Sequence, residues 1–219
     1  MAIDYANLAV NPTLAAEYLA QYLDDSGIFD SVTFDTSTNT VAGYLDSTEI
    51  FKAVLSSSAQ NLYWRGSLVR EFGAYTNYLV GKTSKGVAFG GIPSNVADWY
   101  GFVVCKSKGS IPMLIYRYLP QQGMWCATAD YTGSPVQSVY LTPPYQNSST
   151  YFYTGYASPD YSTGVPICTT ATSTETVAVA DGVEVLHAYQ TNIPTNLVSE
   201  IAIGGKSALA IGVQLVLMD

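Results

Sequence analysis

Few side chains here are equipped for covalent or acid–base chemistry, and their spacing limits what they can do. His187 is the only histidine, so any mechanism needing an imidazole runs through it. It sits in Val183-Glu-Val-Leu-His-Ala-Tyr189, where strand alternation puts it on one face with Val183, Val185 and Tyr189, the setting of a hydrogen-bonded structural histidine. Cys105, Cys126 and Cys168 are odd in number and lack paired spacing, which argues against a disulfide framework. Together with His187 they offer no local chelating pair of the kind zinc sites use, and no metal or cofactor is expected. Asp35, Ser37, Asn39 and Asp46 match positions of a calcium loop. Thr40 stands where that loop needs glycine, and its flanks alternate like strands, so a hairpin loop is predicted. Gly204-Gly205-Lys206-Ser207 matches only the end of a phosphate-binding loop: Glu200 occupies the first glycine position and a strand pattern follows.

Acid–aromatic dipeptides are more numerous. Asp4-Tyr5, Asp98-Trp99, Asp130-Tyr131 and Asp160-Tyr161 combine a carboxylate that accepts hydroxyl hydrogen bonds with a ring on which sugar CH groups stack. A turn aspartate leading into an aromatic strand gives the same pairs. Asp98, Trp99, Asp130, Tyr131, Asp160 and Tyr161 are the candidate glycan contacts. Nothing in their spacing specifies the two-carboxylate pairing of a glycosidase, and an enzyme is not expected. Asn147-Ser148-Ser149 is a glycosylation sequon that reads as loop.

The elements that must hold these residues are mostly strands. Asn11-Pro12 opens a helix as N-cap and first-turn proline; Leu14, Tyr18, Leu19, Tyr22 and Leu23 follow at helical spacing, and Gly27 stops it. Residues 28–34 and 40–45 read as a hairpin, whereas 47–56 suits a helix or a strand. Residues 61–91 mix aromatics, bases and glycines, as short strands and loops do. Residues 100–105, 113–118 and 124–128 form a predicted meander. The proline-rich 131–174 region is loop-rich, with brief strands at 136–141 and 151–156; 176–179 and 183–189 are strands joined through Asp181-Gly182. Residues 199–218 read as one long hairpin around Gly204-Gly205, with Leu209, Ile211, Val213, Leu215 and Leu217 on a single apolar face. The expected organisation is an acidic segment over 1–60, containing a helix at 12–25, and a β-rich body over 61–219. The fold class is mainly β with an N-terminal helix, an antiparallel sandwich or barrel-like body ending in a long C-terminal hairpin.

Charged residues make up 12% of the chain, about half the roughly 25% of an ordinary soluble domain. Tyrosine, at 18 residues, partly replaces them, and its ring-plus-hydroxyl chemistry suits interfaces. The net charge of −8 is segregated: Met1–Ile50 holds eight acids and no base, Phe51–Arg117 is net +6, and the remainder net −6. These blocks either fold against each other within one subunit or meet between neighbours in a head-to-tail ring. Asp24, Asp25 and Asp30, facing Arg65, Arg70 and Lys82, are the candidate assembly interface. Dispersed bases and a negative total argue against nucleic acid. The sequence shows neither a signal-peptide pattern nor an apolar run long enough to span a membrane, so synthesis in a cytoplasm without membrane insertion is expected.

Two groups of residues carry a family likeness. Tyr100-Gly-Phe-Val-Val-Cys-Lys-Ser-Lys-Gly109 with Met124-Trp-Cys-Ala-Thr-Ala-Asp-Tyr131 is one; Ile201-Ala-Ile-Gly-Gly-Lys206 with Leu215-Val-Leu-Met-Asp219 is the other. They resemble small virion structural proteins of tailed bacteriophages, especially those infecting Gram-positive gut bacteria. The resemblance implies a non-enzymatic, β-rich subunit, made in the host cytoplasm and repeated in the virion, whose partners are its own copies and other virion proteins. It supplies no binding residues. A glycan- or receptor-binding domain for the host surface is the alternative expectation.

Overall fold

The computed structural model describes residues 4–8, 11–93, 100–119, 124–130, 139–141, 153–157, 161–165, 167–169, 176–188, 199–203, 206–211 and 215–218. The chain opens with strand β1 (Asp4–Leu8) and helix α1 (Pro12–Ser26). The Asn11 side chain accepts the Leu14 N–H at 3.0 Å, and Gly27 closes α1 with a left-handed φ of 59°, its N–H reaching the Asp24 carbonyl. Ala15, Ala16, Leu19, Ala20, Tyr22 and Leu23 form its buried face, whereas Leu14 is 36% exposed. Three alanines on that face let the helix lie close to its neighbours.

A meander of β2 (Ser31–Asp35), β3 (Thr40–Leu45), β4 (Thr48–Leu55), β5 (Ala59–Trp64) and β6 (Ser67–Gly73) makes a five-stranded antiparallel sheet. The stretch 47–56 therefore holds strand β4 over Thr48–Leu55, and residue 60 lies within β5. Two turns carry paired positive φ angles, Asp46-Ser47 and Arg65-Gly66, the backbone of tight two-residue hairpins. Only Ala74 separates β6 from β7 (Tyr75–Thr83), so the chain passes directly into a second sheet. That sheet continues through β8 (Gly86–Pro93), β9 (Tyr100–Lys106), β10 (Pro112–Leu119), β11 (Met124–Ala129) and β12 (Val139–Leu141), with β1 added outside β7. The expected meander over 100–128 is present. Residues 61–91 hold longer strands than predicted, because glycines inside β7 and β8 lie in the ladder instead of ending it.

Register places Val80, Val87, Phe89, Phe102, Val104, Leu114 and Tyr116 on one face of the seven-stranded sheet. These pack into a core with Phe51, Leu55, Leu62 and Trp64 of the five-stranded sheet and with α1, which touches both sheets. Seven rings run through this core from Phe29 to Phe51, Phe102, Phe89, Tyr78, Tyr75 and Phe72, with successive centroids 5.1–6.3 Å apart. Gly43 lies beneath Phe29, where a Cβ would sit 2.4 Å from the ring. The architecture is an antiparallel sandwich with one helix.

The opposite face of the seven-stranded sheet is also buried, through Leu79, Ala88, Val103, Cys105, Met113, Ile115, Ala127 and Ala129. A third layer follows in sequence: β13 (Tyr153–Ala157), β14 (Tyr161–Val165), β15 (Ile167–Thr169), β16 (Thr176–Val179), β17 (Val183–Ala188), β18 (Ser199–Ile203), β19 (Lys206–Ile211) and β20 (Leu215–Met218). Six of these strands form a sheet in the order β13-β14-β17-β20-β19-β18, while β15 pairs with β16. β19 and β20 touch β7 and β8, and Val183 and Leu209 are fully buried. The turn after β9 is tied to this layer by backbone bonds from Lys108 N–H to the Val179 carbonyl and from Asp181 N–H to the Lys106 carbonyl.

The expected long C-terminal hairpin is replaced by a three-stranded meander. β18 and β19 pair across Gly204-Gly205 as anticipated, with Ile203 opposite Lys206. The predicted second arm is divided: β20 turns back on β19, pairing Leu209 with Leu217 and Ile211 with Leu215. Val213, expected at the centre of that arm, lies outside the described residues.

Candidate functional site

The charged residues singled out from sequence are mostly engaged within the chain. Lys82 on β7 pairs with Asp25 on α1, and its ammonium also sits 4.8 Å from the centre of the Tyr22 ring. Burial pushes the Tyr22 hydroxyl pKa well above its ordinary value, and the hydrogen bond to Asp4 of β1 adds to the shift. Asp4, Tyr22, Asp25 and Lys82 thus fasten helix and first strand to the edge of the seven-stranded sheet.

Two further ion pairs join separate regions. Arg65, in the β5–β6 turn, pairs with Asp130 at the end of β11; the Asp130 side chain is only 9% exposed and that of Arg65 42%. Lys85, in the β7–β8 turn, meets Asp181 at 2.9 Å, with both side chains well exposed. Gly182 must lack a side chain there: its φ is 78° and a Cβ would fall 2.3 Å from the Lys85 stem. The basic middle of the chain therefore meets both acidic ends inside one subunit.

Of the remaining assembly candidates, Asp24 is exposed on α1. The Asp30 carboxylate accepts the Asp46 N–H at 2.9 Å and so braces the β3–β4 turn. The Arg70 guanidinium lies 5.4 Å from the Phe72 ring centre. Among the glycan candidates, Asp130 is held by Arg65, and Tyr161 begins β14 opposite Ala188. Asp98, Trp99, Tyr131 and Asp160 lie outside the described residues. Backbone pairing sets His187 opposite Ser162 and Cys126 opposite Tyr116 and Tyr140.

The loop with calcium-like spacing is a hairpin turn, as expected. Asp35 accepts hydrogen bonds from the Ser37 N–H, the Ser37 hydroxyl and the Thr38 hydroxyl, at 2.9, 2.7 and 2.9 Å. Those bonds lower its pKa.

Three features escaped the sequence reading. The first is a fully buried Gln60, whose amide donates to the Ser56 carbonyl at 2.7 Å and to the Tyr78 hydroxyl at 3.2 Å. Burial raises the Tyr78 pKa. The second is the outer face of the five-stranded sheet, where register aligns Thr33, Ala42, Lys52, Tyr63 and Leu68 in one row. Lys52 lies 4.8 Å over the Tyr63 ring and pairs with Glu49, and Leu68 is 53% exposed. The third is the outer edge of β2, which has no partner strand among the described residues. Alternation at 59–64 held a signal for the face; the edge had none, because strand order is invisible in a single sequence.

No family model, curated protein or solved structure matches the chain.

Proposed function

We propose that the chain is a non-enzymatic structural subunit of a tailed-bacteriophage particle, repeated in the tail, baseplate or head. It works by presenting rigid β-sheet surfaces to copies of itself and to other virion proteins. The observation that carries this reading is the contrast between ties and surface. Arg65–Asp130, Lys82–Asp25 and Lys85–Asp181 hold the chain's own segments together, while the five-stranded sheet presents hydroxyls, tyrosines, an exposed leucine and an edge without a partner strand among the described residues. A repeated subunit needs a body that keeps its shape and a surface that neighbours can cover. The low charge content fits the same use. The glycan-binding alternative is weaker, since Arg65 already holds the nearly buried Asp130 carboxylate.

Mass spectrometry of density-banded particles, with light scattering of the isolated chain at micromolar concentration, tests the proposal. Multiple copies per particle and self-association are expected. A monodisperse monomer absent from every particle would overturn it.

A further inference from the structure

We infer that β2 is a self-complementary edge through which two copies join their five-stranded sheets into one continuous antiparallel sheet. The inference rests on the reading of the chain as an assembling subunit and names the surface it uses. β2 ends the sheet order, and Ser31, Thr33 and Asp35 are exposed while Val32 and Phe34 are half-buried against the core. Natural edge strands are usually guarded by proline, lysine or a bulge. β2 has no proline or lysine, and its ladder with β3 runs without a register shift, unlike β3–β4 and β5–β6. The acids at its ends are turned to local work: Asp35 caps its own hairpin and Asp30 braces the β3–β4 turn.

Antiparallel pairing of β2 with a second β2 about Thr33 makes each cross-strand pair compatible. Thr33 faces Thr33 of the other copy, Val32 faces Phe34, and Ser31 faces Asp35. Threonine pairs and aromatic–β-branched pairs are among the favourable cross-strand combinations. Asp30 falls opposite Thr36, so no two carboxylates stand directly opposed. The interface is isologous, as a two-fold dimer requires.

Sedimentation equilibrium of Thr33→Lys and Thr33→Glu, each alone and then mixed, tests the pairing, with circular dichroism checking the fold. Each variant alone places like charges across the two-fold axis and should weaken the dimer about tenfold or more, while the mixture should return to within about threefold of wild type. Thr33→Cys, which adds no charge, should give a disulfide-linked dimer under mild oxidation that wild type does not give. Three outcomes overturn the inference: a wild-type monomer at all concentrations, variants that associate like wild type, or variants whose mixture fails to recover. The last points to the β6 edge of another copy or to a different protein's strand. A chain present in particles yet insensitive at Thr33 loses the edge pairing and keeps the structural role; a monomer absent from particles loses both.

Discussion

Replacing Arg65 with glutamine should leave the Asp130 carboxylate without its cation in a place water barely reaches. The Asp130 side chain is 9% exposed and that of Arg65 42%, so the pair lies between two regimes. Removing one partner of a fully buried pair costs about 3–5 kcal/mol, and removing one from an exposed pair about 0–1. With one carboxylate nearly enclosed and one guanidinium partly screened, roughly 1–3 kcal/mol is expected. In a chain of this size that corresponds to a melting temperature lower by about 3–10 °C. Glutamine is the informative replacement because Arg65 has a φ of 46°. Glycine would relieve that strain and mask the lost charge pair. Urea unfolding of Arg65→Gln, Asp130→Asn and the double variant completes a cycle. The double variant should be more stable than the single losses added together, by about 1–2 kcal/mol, because it leaves no unpaired buried charge. A coupling near zero, or an Arg65→Gln variant as stable as wild type, would refute the claim that this pair ties the five-stranded sheet to the end of β11.

Lys85→Gln should lower stability by less than about 1 kcal/mol in the same assay, since both partners of the Lys85–Asp181 pair are exposed. Gly43→Val should cost about 1–3 kcal/mol by overpacking, because its Cβ would meet the Phe29 ring that stacks on Phe51; calorimetry checks it. Asp35→Ala should reduce the acid sensitivity of the fold. The folded-state pKa of Asp35 lies below the ordinary 3.8, so its contribution is full above that value and lost as pH falls through the folded-state pKa. A melting temperature followed from neutral pH to below 3.8 should therefore fall less steeply in the variant than in wild type.

Elements with local signals were legible. The helix carries its own cap, first-turn proline and terminal glycine, and the β2–β3 hairpin carries its turn in Asp35 to Asn39. β4 was ambiguous for a physical reason: Ile50 and Phe51 are both buried beside a register shift opposite Gly43 and Tyr44. That irregularity breaks strand alternation and leaves Ile50, Phe51, Val54 and Leu55 at helix-like spacing. The ion pairs were illegible because their partners stand 57, 65 and 96 residues apart. Asp25, Lys82 and Arg65 drew notice as charges and Asp130 as a glycan candidate, but no local pattern says which charge meets which.

The C-terminal region shows a deeper limit. Leu209, Ile211, Leu215 and Leu217 alternate as one long strand would. β19 and β20 instead pair Leu209 with Leu217 and Ile211 with Leu215, in a pattern symmetric about Val213. Residues opposite each other in an antiparallel pair share a face, so a hairpin centred on Val213 presents the same apolar set as an uninterrupted strand. Alternation reports which residues share a face, and here it does so under either arrangement. It carries no information on where the chain reverses when hydrophobicity is mirrored about the turn. Gly212 is an ambiguous sign in the sequence, since a glycine within a strand pattern signals a bulge as readily as a turn. Strand pairing could therefore not be read from this sequence, and pairing is what converts the expected two-stranded tail into part of a six-stranded layer, in which Leu209 is fully buried.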